Sequence, residues 1–216
     1  MTLTLVIANK AYSSWSFRPW ILLRHFGIPF EEVVVPLAQE TTREQILRYS
    51  PAAKCPVLID GETRVWESLA IIEYVADAHP ELAIWPKEKA ARALARSLSS
   101  EMHAGFQSLR SHLPTHFRRQ VSKRELTPEA AADVARIEAA WSDARSRFGK
   151  GGDFLFGAFC AADAMFAPVV SRLHTYDAPV TAASRTYMDK VMALPAWRAW
   201  LDGADAEAWH IAKYEV

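Results

Sequence analysis

The chain has 216 residues, half of them apolar, which suffices for one large hydrophobic core or two smaller ones. Lysine and arginine total 25, as do aspartate and glutamate, so the formal net charge is zero. A neutral chain without a long basic run offers no electrostatic footprint for nucleic acid or an anionic membrane, and the short cluster Arg118, Arg119, Lys123 and Arg124 reads as a solvated helix end or loop.

Met1 runs directly into the strand-like stretch Leu3–Ala8 with no export signal. Only Cys55 and Cys160 are present, so reduced thiols in the cytoplasm are the simplest expectation. Phe17, Trp20, Ile21, Arg24 and Phe26 then follow helical spacing, with Gly27 as the C-cap. Pro19 fits a helix only in its first turn, which places the helix start near Ser16. Glu32–Val35 predicts a second strand, stopped by Pro36, and a polar helix runs from about Thr41 to Tyr49. Two short strands, Val57–Ile59 and Thr63–Val65, flank Asp60-Gly61-Glu62, a hairpin signal. A helix from about Ser68 to Ala78 completes a thioredoxin-like α/β unit over residues 1–79.

Residues 80–86 read as a linker marked by Pro80 and Pro86. Residues 87–216 lack strand patterns; alanine, arginine, glutamate and leucine dominate Lys89–His112, Pro128–Arg147 and Ser184–Leu201, predicting an all-α second domain. The longest apolar region, around Phe154–Val170, is broken by Asp163 and Pro168 and is too short to span a bilayer. The tail Trp209–Tyr214 is apolar enough to pack back onto the body, with the pocket as one place it could cover.

Three segments carry chemistry. Ser13 and Ser14 precede the first helix, beside unpaired amides and a positive helix end that favour an anion such as a thiolate; plain N-capping is the alternative use of either serine. A hydroxyl donating to sulfur lowers a thiol's pKa in the same way. In Lys54-Cys55-Pro56-Val57-Leu58, a trans Pro56 would make a rigid turn. A cis Pro56 would instead free the Cys55 backbone to pair with an extended peptide, while the Cys55 side chain reads as small and buried. Ser68 is placed as the N-cap of its helix, where free amides could equally hold a carboxylate, and Glu67 could receive an ammonium group.

Together these segments, Ser13–Arg18, Cys55–Leu58 and Glu67–Ile71, resemble the cytosolic glutathione transferases over essentially the whole chain, in particular the serine-type classes and the zeta class. The resemblance implies a thioredoxin-like N-terminal domain with an all-α C-terminal domain, and glutathione as co-substrate. Family register, running from the catalytic serine to the Gly-Ile after the first helix, sets Ser13 against that serine, with Ser14 next in line. Glutathione contacts are implied for Ser14, Trp15, Lys54, Cys55, Pro56, Glu67 and Ser68. A pocket for a small hydrophobic electrophile is expected to draw on Met102, His103, Phe106 and Arg110 of one long helix and on His174 and Tyr176, though each could equally serve the core.

The resemblance also implies a homodimer; no metal is expected, because His103 and His174 lack metal-site spacing, and the neutral charge points to no nucleic acid and no membrane partner. Asp163 matches a family capping box, but Cys160 stands where serine or threonine is usual, so the box is expected to be incomplete and the helix start weaker by about 1 kcal/mol. Trp15 stands where the zeta pattern carries a cysteine linked to maleylacetoacetate isomerisation, which argues against that activity. Two other classes remain: a non-catalytic transferase-like binding protein, and a glutathione-dependent isomerase or dehalogenase.

Overall fold

Short β-branched runs and Asp-Gly punctuation give the first third its sheet. In a computed structural model that describes residues 2–214, β1 (Leu3–Ala8) is followed by α1 (Ser14–His25), β2 (Phe30–Val35), α2 (Thr42–Leu47), β3 (Val57–Asp60), β4 (Thr63–Trp66) and α3 (Ser68–Ala78). The sheet order is β2-β1-β3-β4. β1 runs parallel to β2, with Val6 opposite Val33, and antiparallel to β3, with Leu5 opposite Leu58. Alternation splits the strand residues between two faces. Leu5, Ile7 and Leu58 join the main core under α1 and α3, whereas Val6, Val35 and Val57 form a smaller cluster with Ile46 of α2.

Six α-helices and a short 3-10 turn follow the linker region among the described residues: α4 (Lys89–Ala104), α5 (Gln107–His112), α6 (Pro128–Phe148), α7 (Ala161–Thr175), α8 (Ala182–Met192), α9 (Pro195–Asp205) and the 3-10 turn at Ala212–Tyr214. Thr127 and Thr181 cap α6 and α8 through their side chains. The central element is α7, buried from Ala161 through Leu173 and packed against α1, α4 and α8. Trp141 of α6 meets Phe166 and Tyr187 edge-on at 5.8 and 4.8 Å between ring centroids. On the other side, Trp197 and Trp200 of α9 pack on Phe17 of α1, tying the end of the helical region to the first helix.

Several boundaries differ from the sequence reading. Helix α1 begins at Ser14, so Pro19 lies in its second turn. An interior proline costs about 3 kcal/mol, and burial of Phe17, Trp20, Ile21 and Leu22 from both sides outweighs it. The expected helix over Lys89–His112 is two helices, broken at Gly105 and at Phe106, whose φ is +61°. A Cβ on Gly105 would lie 2.9 Å from the Glu101 carbonyl oxygen, so the chain turns where no side chain fits. Ser184–Leu201 is likewise two helices, parted at Leu194-Pro195, and α2 is shorter than the Thr41–Tyr49 stretch.

The α7 capping box is closed rather than incomplete. Asp163 accepts from the Cys160 amide at 2.9 Å, and the Cys160 side chain faces the Asp163 amide, the sulfur's longer reach serving where an oxygen is usual. Asp163 also accepts from the Leu155 amide at 3.1 Å and the Tyr187 hydroxyl at 3.0 Å. Burial pushes its carboxyl up to about 6, against the pull of these donors, so it is ionised at neutral pH and its bonds are charge-assisted. Asp163→Ala strands three donors in the core. Urea unfolding at neutral pH is expected to show a loss of about 3 kcal/mol or more, and a loss below about 1 kcal/mol would refute this anchoring role.

Candidate active site

Each site residue is placed by the end of a regular element. After β1 the chain turns through Asn9, whose carbonyl accepts from the Tyr12 and Ser13 amides at 3.2 and 2.9 Å. Ser13 is then the N-cap of α1: its Oγ accepts from the Ser16 amide at 3.3 Å and donates to the Ser16 hydroxyl at 2.8 Å. Both Ser13 and Ser14 are nine-tenths buried, and both line a cavity of about 1010 Å³. Lys54, Cys55 and Pro56 line the same cavity from the loop before β3, and the Cys55–Pro56 peptide is cis. Burial pushes the Cys55 thiol up to about 12, so it holds its proton at neutral pH.

Glu67 and Ser68 enter from the start of α3. The expected cap is shifted by one residue: Glu67 occupies the N-cap position with φ +70° and makes no side-chain capping bond, while Ser68 is the first helical residue. Ser68 is fully buried, lines the cavity, and its Oγ has no hydrogen-bond partner within the described protein. A positive φ on a non-glycine residue costs about 1–3 kcal/mol and is characteristic of functional sites. Glu67 reaches His103 of α4, with Oε2 3.5 Å from Nε2. Burial lowers the His103 pKa, helped by Arg18 and Arg110 and opposed by Glu67, so the imidazole is neutral near pH 7.

The Arg110 and Arg172 side chains also line the cavity. Trp15 lies against the guanidiniums of Arg18 at 4.2 Å and Arg110 at 4.7 Å, with the His103 ring edge-on at 5.1 Å. Arg110 folds back on the α4 C-terminus, donating to the carbonyls of Gly105 and Met102. Arg172 of α7 donates to the carbonyls of Arg110 and Leu113 and reaches the Ser14 hydroxyl at 3.4 Å. Burial, then the Arg110 charge, lowers Arg172 to about 9.

Of the residues expected around an electrophile, His103 and Arg110 line the cavity, and four do not. Met102 is buried in the main core on the other face of α4. Phe106 packs inward at the α4–α5 break, because that break rotates it off the face the unbroken spacing implied. Tyr176 is buried, its hydroxyl donating to the Pro114 carbonyl at 2.9 Å, and His174 in the last turn of α7 is not among the cavity walls. The walls that sequence reasoning missed include Tyr12, Thr115 and Arg172. Arg172 had a signal, a lone arginine amid the apolar run of α7. The tail does pack back: Ile211 is buried, and Tyr214 stacks on Tyr12 at 5.7 Å beside the cavity, while Trp209 stays partly exposed.

With this geometry in place, comparison with known proteins is direct. Residues 12–78 match the N-terminal domain of glutathione S-transferase and residues 127–203 match its C-terminal domain, together two thirds of the chain. The chain belongs to the glutathione S-transferase family. It is 38% identical over 98 residues to a probable maleylacetoacetate isomerase of Caenorhabditis elegans, covering 45% of each chain. It is also 29% identical over 130 residues to a zeta-class glutathione S-transferase of Euphorbia esula, covering 59% of this chain and 58% of that one. The match thus spans about half the length of these curated relatives. A solved glutathione transferase homolog from Burkholderia with bound glutathione superposes with a TM-score of 0.74 at 22% identity, covering 96% of this chain and all of that one, a likeness of fold. Among the described residues, no helix is long and apolar enough to cross a membrane, and no group of three or more His, Cys, Asp or Glu is placed to hold a metal ion.

Because the Ser68 hydroxyl has no partner in the free protein, its removal costs the fold almost nothing. Ser68→Ala is expected to unfold within about 0.5 kcal/mol of the parent protein. A loss above about 1.5 kcal/mol would show that the hydroxyl is structural.

Proposed function

We propose that this chain is a glutathione transferase in which Ser13 activates the thiol of bound glutathione for attack on a small electrophile or a peroxide. One observation carries the reading: Ser13, the Cys55–Pro56 loop and Ser68, whose buried hydroxyl is unpartnered, line one cavity, with the two serines at the N-terminal ends of helices. In this reading the Cys55 backbone pairs with the tripeptide. The amides of the first α3 turn and Ser68 take the γ-glutamyl carboxylate, Glu67 takes its ammonium group, and the sulfur lies at Ser13 with Ser14 and Trp15 beside it. Helix amides and the nearby guanidiniums favour the thiolate over the thiol, and the sulfur attacks without any covalent bond to the protein. Pro56, Lys54 and Trp15 shape the site without taking or giving a proton.

The acceptor side of the cavity carries Arg110, Arg172 and His103, with Glu67 the nearby carboxylate. This favours an acceptor that combines an apolar body with an anionic oxygen over a purely hydrophobic one. Trp15 occupies the position of the isomerase cysteine, which favours transfer over isomerisation. Cytoplasmic location, argued from the two unpaired cysteines, and a homodimer, argued from the family resemblance, belong to the same proposal.

Ser13→Ala is expected to lower the transfer rate roughly tenfold to a thousandfold and to move the alkaline-rising limb of the pH–rate profile upward, because the thiolate loses its donor. Steady-state assays with a generic aryl halide across pH check this; an unchanged profile would transfer the role to Ser14, tested by Ser14→Ala. Ser68→Ala, neutral for stability, is expected to weaken glutathione binding about tenfold by calorimetry. Retention on a glutathione column without turnover of a broad electrophile panel would favour the non-catalytic binding protein instead.

A further inference from the structure

We propose that Ser16 is a positioning residue for the thiol chemistry, acting through Ser13; the proposal rests on the transferase reading above. Ser16 lies in the first turn of α1, is fully buried and is not a wall of the cavity, so it does not touch the sulfur. Its Oγ accepts from the Ala8 amide at the end of β1 at 3.0 Å and lies 2.8 Å from the Ser13 Oγ. The Ser16 amide also donates to the Ser13 Oγ at 3.3 Å. Strand and helix thus fix this pair of hydroxyls.

A hydroxyl has one proton and two lone pairs. In the free protein Ser13 spends its proton on Ser16. A thiolate beside Ser13 is a charged acceptor and outcompetes a neutral hydroxyl, so the Ser13 proton turns toward sulfur. The Ser13 oxygen then has a lone pair open to the Ser16 proton, in a place shielded from water. The result is a series in which the Ala8 amide donates to Ser16, Ser16 to Ser13, and Ser13 to sulfur. Two hydroxyl rotations accomplish it, and no proton changes owner. Bonds in such a series polarise one another, so Ser16 makes Ser13 a stronger donor and holds its rotamer.

A double-mutant cycle on the full chain tests this. The pKa of bound glutathione is read from ultraviolet thiolate absorbance against pH for the parent protein, Ser13→Ala, Ser16→Ala and the double variant. S-methylglutathione affinity serves as the control for fold and binding. Ser16→Ala is expected to raise the bound thiol's pKa by roughly half a unit, about a threefold loss of thiolate near neutral pH, with S-methylglutathione affinity unchanged. Ser13→Ala raises it further, and adding Ser16→Ala to Ser13→Ala changes nothing more, which a merely structural role would not reproduce. An unshifted or lowered pKa in Ser16→Ala, or an equal shift in both backgrounds, overturns the role of Ser16 and leaves that of Ser13 standing. A Ser13→Ala protein with the parent pKa overturns both. Should Ser16→Ala fail to fold, Ser16→Cys, a weaker donor and acceptor, runs the same cycle under the same criteria.

Discussion

The packing of α1 against α7 is the contact on which the site depends. Helix α1 belongs to the sheet region and α7 to the helical region, and Arg18 is buried between them. Its Nε donates to the Met165 carbonyl at 2.9 Å and its guanidinium lies against the Trp15 ring. Withdrawing a cation from water is costly, and that cost is offset only where hydrogen bonds and a π-face receive it. Burial, with Arg110 and Arg172 nearby, accordingly lowers the Arg18 pKa well below its ordinary value. The same packing sets the N-terminus of α1, with its two serines, opposite Arg172.

The loop that carries Ser13 is fastened from several directions. The Asn9 side-chain oxygen accepts from the Leu37 amide, and the Ala11 carbonyl accepts from the Phe117 amide at 2.9 Å. Trp200 donates to the Lys10 carbonyl at 3.1 Å, and Glu207 accepts from the Lys10 and Ala11 amides at 2.6 and 3.0 Å. Arg118 binds the Tyr12 hydroxyl and the carbonyls of Glu207 and Trp209, drawing the tail onto the loop. A donor aimed at developing charge is effective only when its support is fixed in advance, and here residues up to 197 positions away supply that support.

The legibility of these features in the sequence follows their range. Strands and the hairpin come from local signals, β-branched runs and Asp60-Gly61, and α3 was bounded by its own composition. The clustering of Ser13, Lys54–Pro56 and Glu67–Ser68 was readable because all three lie at the ends of such local elements. Pro19 misled because its local penalty is outweighed by long-range packing that no window reveals. Met102 misled because it sits on the core face of α4, and Phe106 because the break at Gly105 rotates it away from the face that unbroken helical spacing assigns. Tyr176 was legible as an aromatic at a helix end, but its hydroxyl is taken by the Pro114 carbonyl, some sixty residues earlier. The cationic cluster was least visible of all, since Arg110 and Arg172, which line the cavity, and Arg18, buried against Trp15, come from three separate helices.

In the proposed transferase, that cationic cluster bears on how the work of ionising a thiol is divided. The three guanidiniums repel one another, which is why Arg110 and Arg172 lower the Arg18 pKa and Arg110 lowers that of Arg172. Asp133 opposes the lowering of the Arg110 pKa, Glu67 that of His103, and Tyr176 and Tyr214 that of Arg172. An anion entering the cavity relieves this repulsion, so the field favours any negative charge there, whether on sulfur or on an acceptor's oxygen. A hydroxyl adds what a diffuse field lacks, a short directed bond that fixes the sulfur lone pairs toward one face. Field and direction are separable contributions. In the proposed transferase, the Ser13 hydroxyl adjusts a thiol already favoured by this field, so its loss slows the chemistry roughly tenfold to a thousandfold without abolishing it.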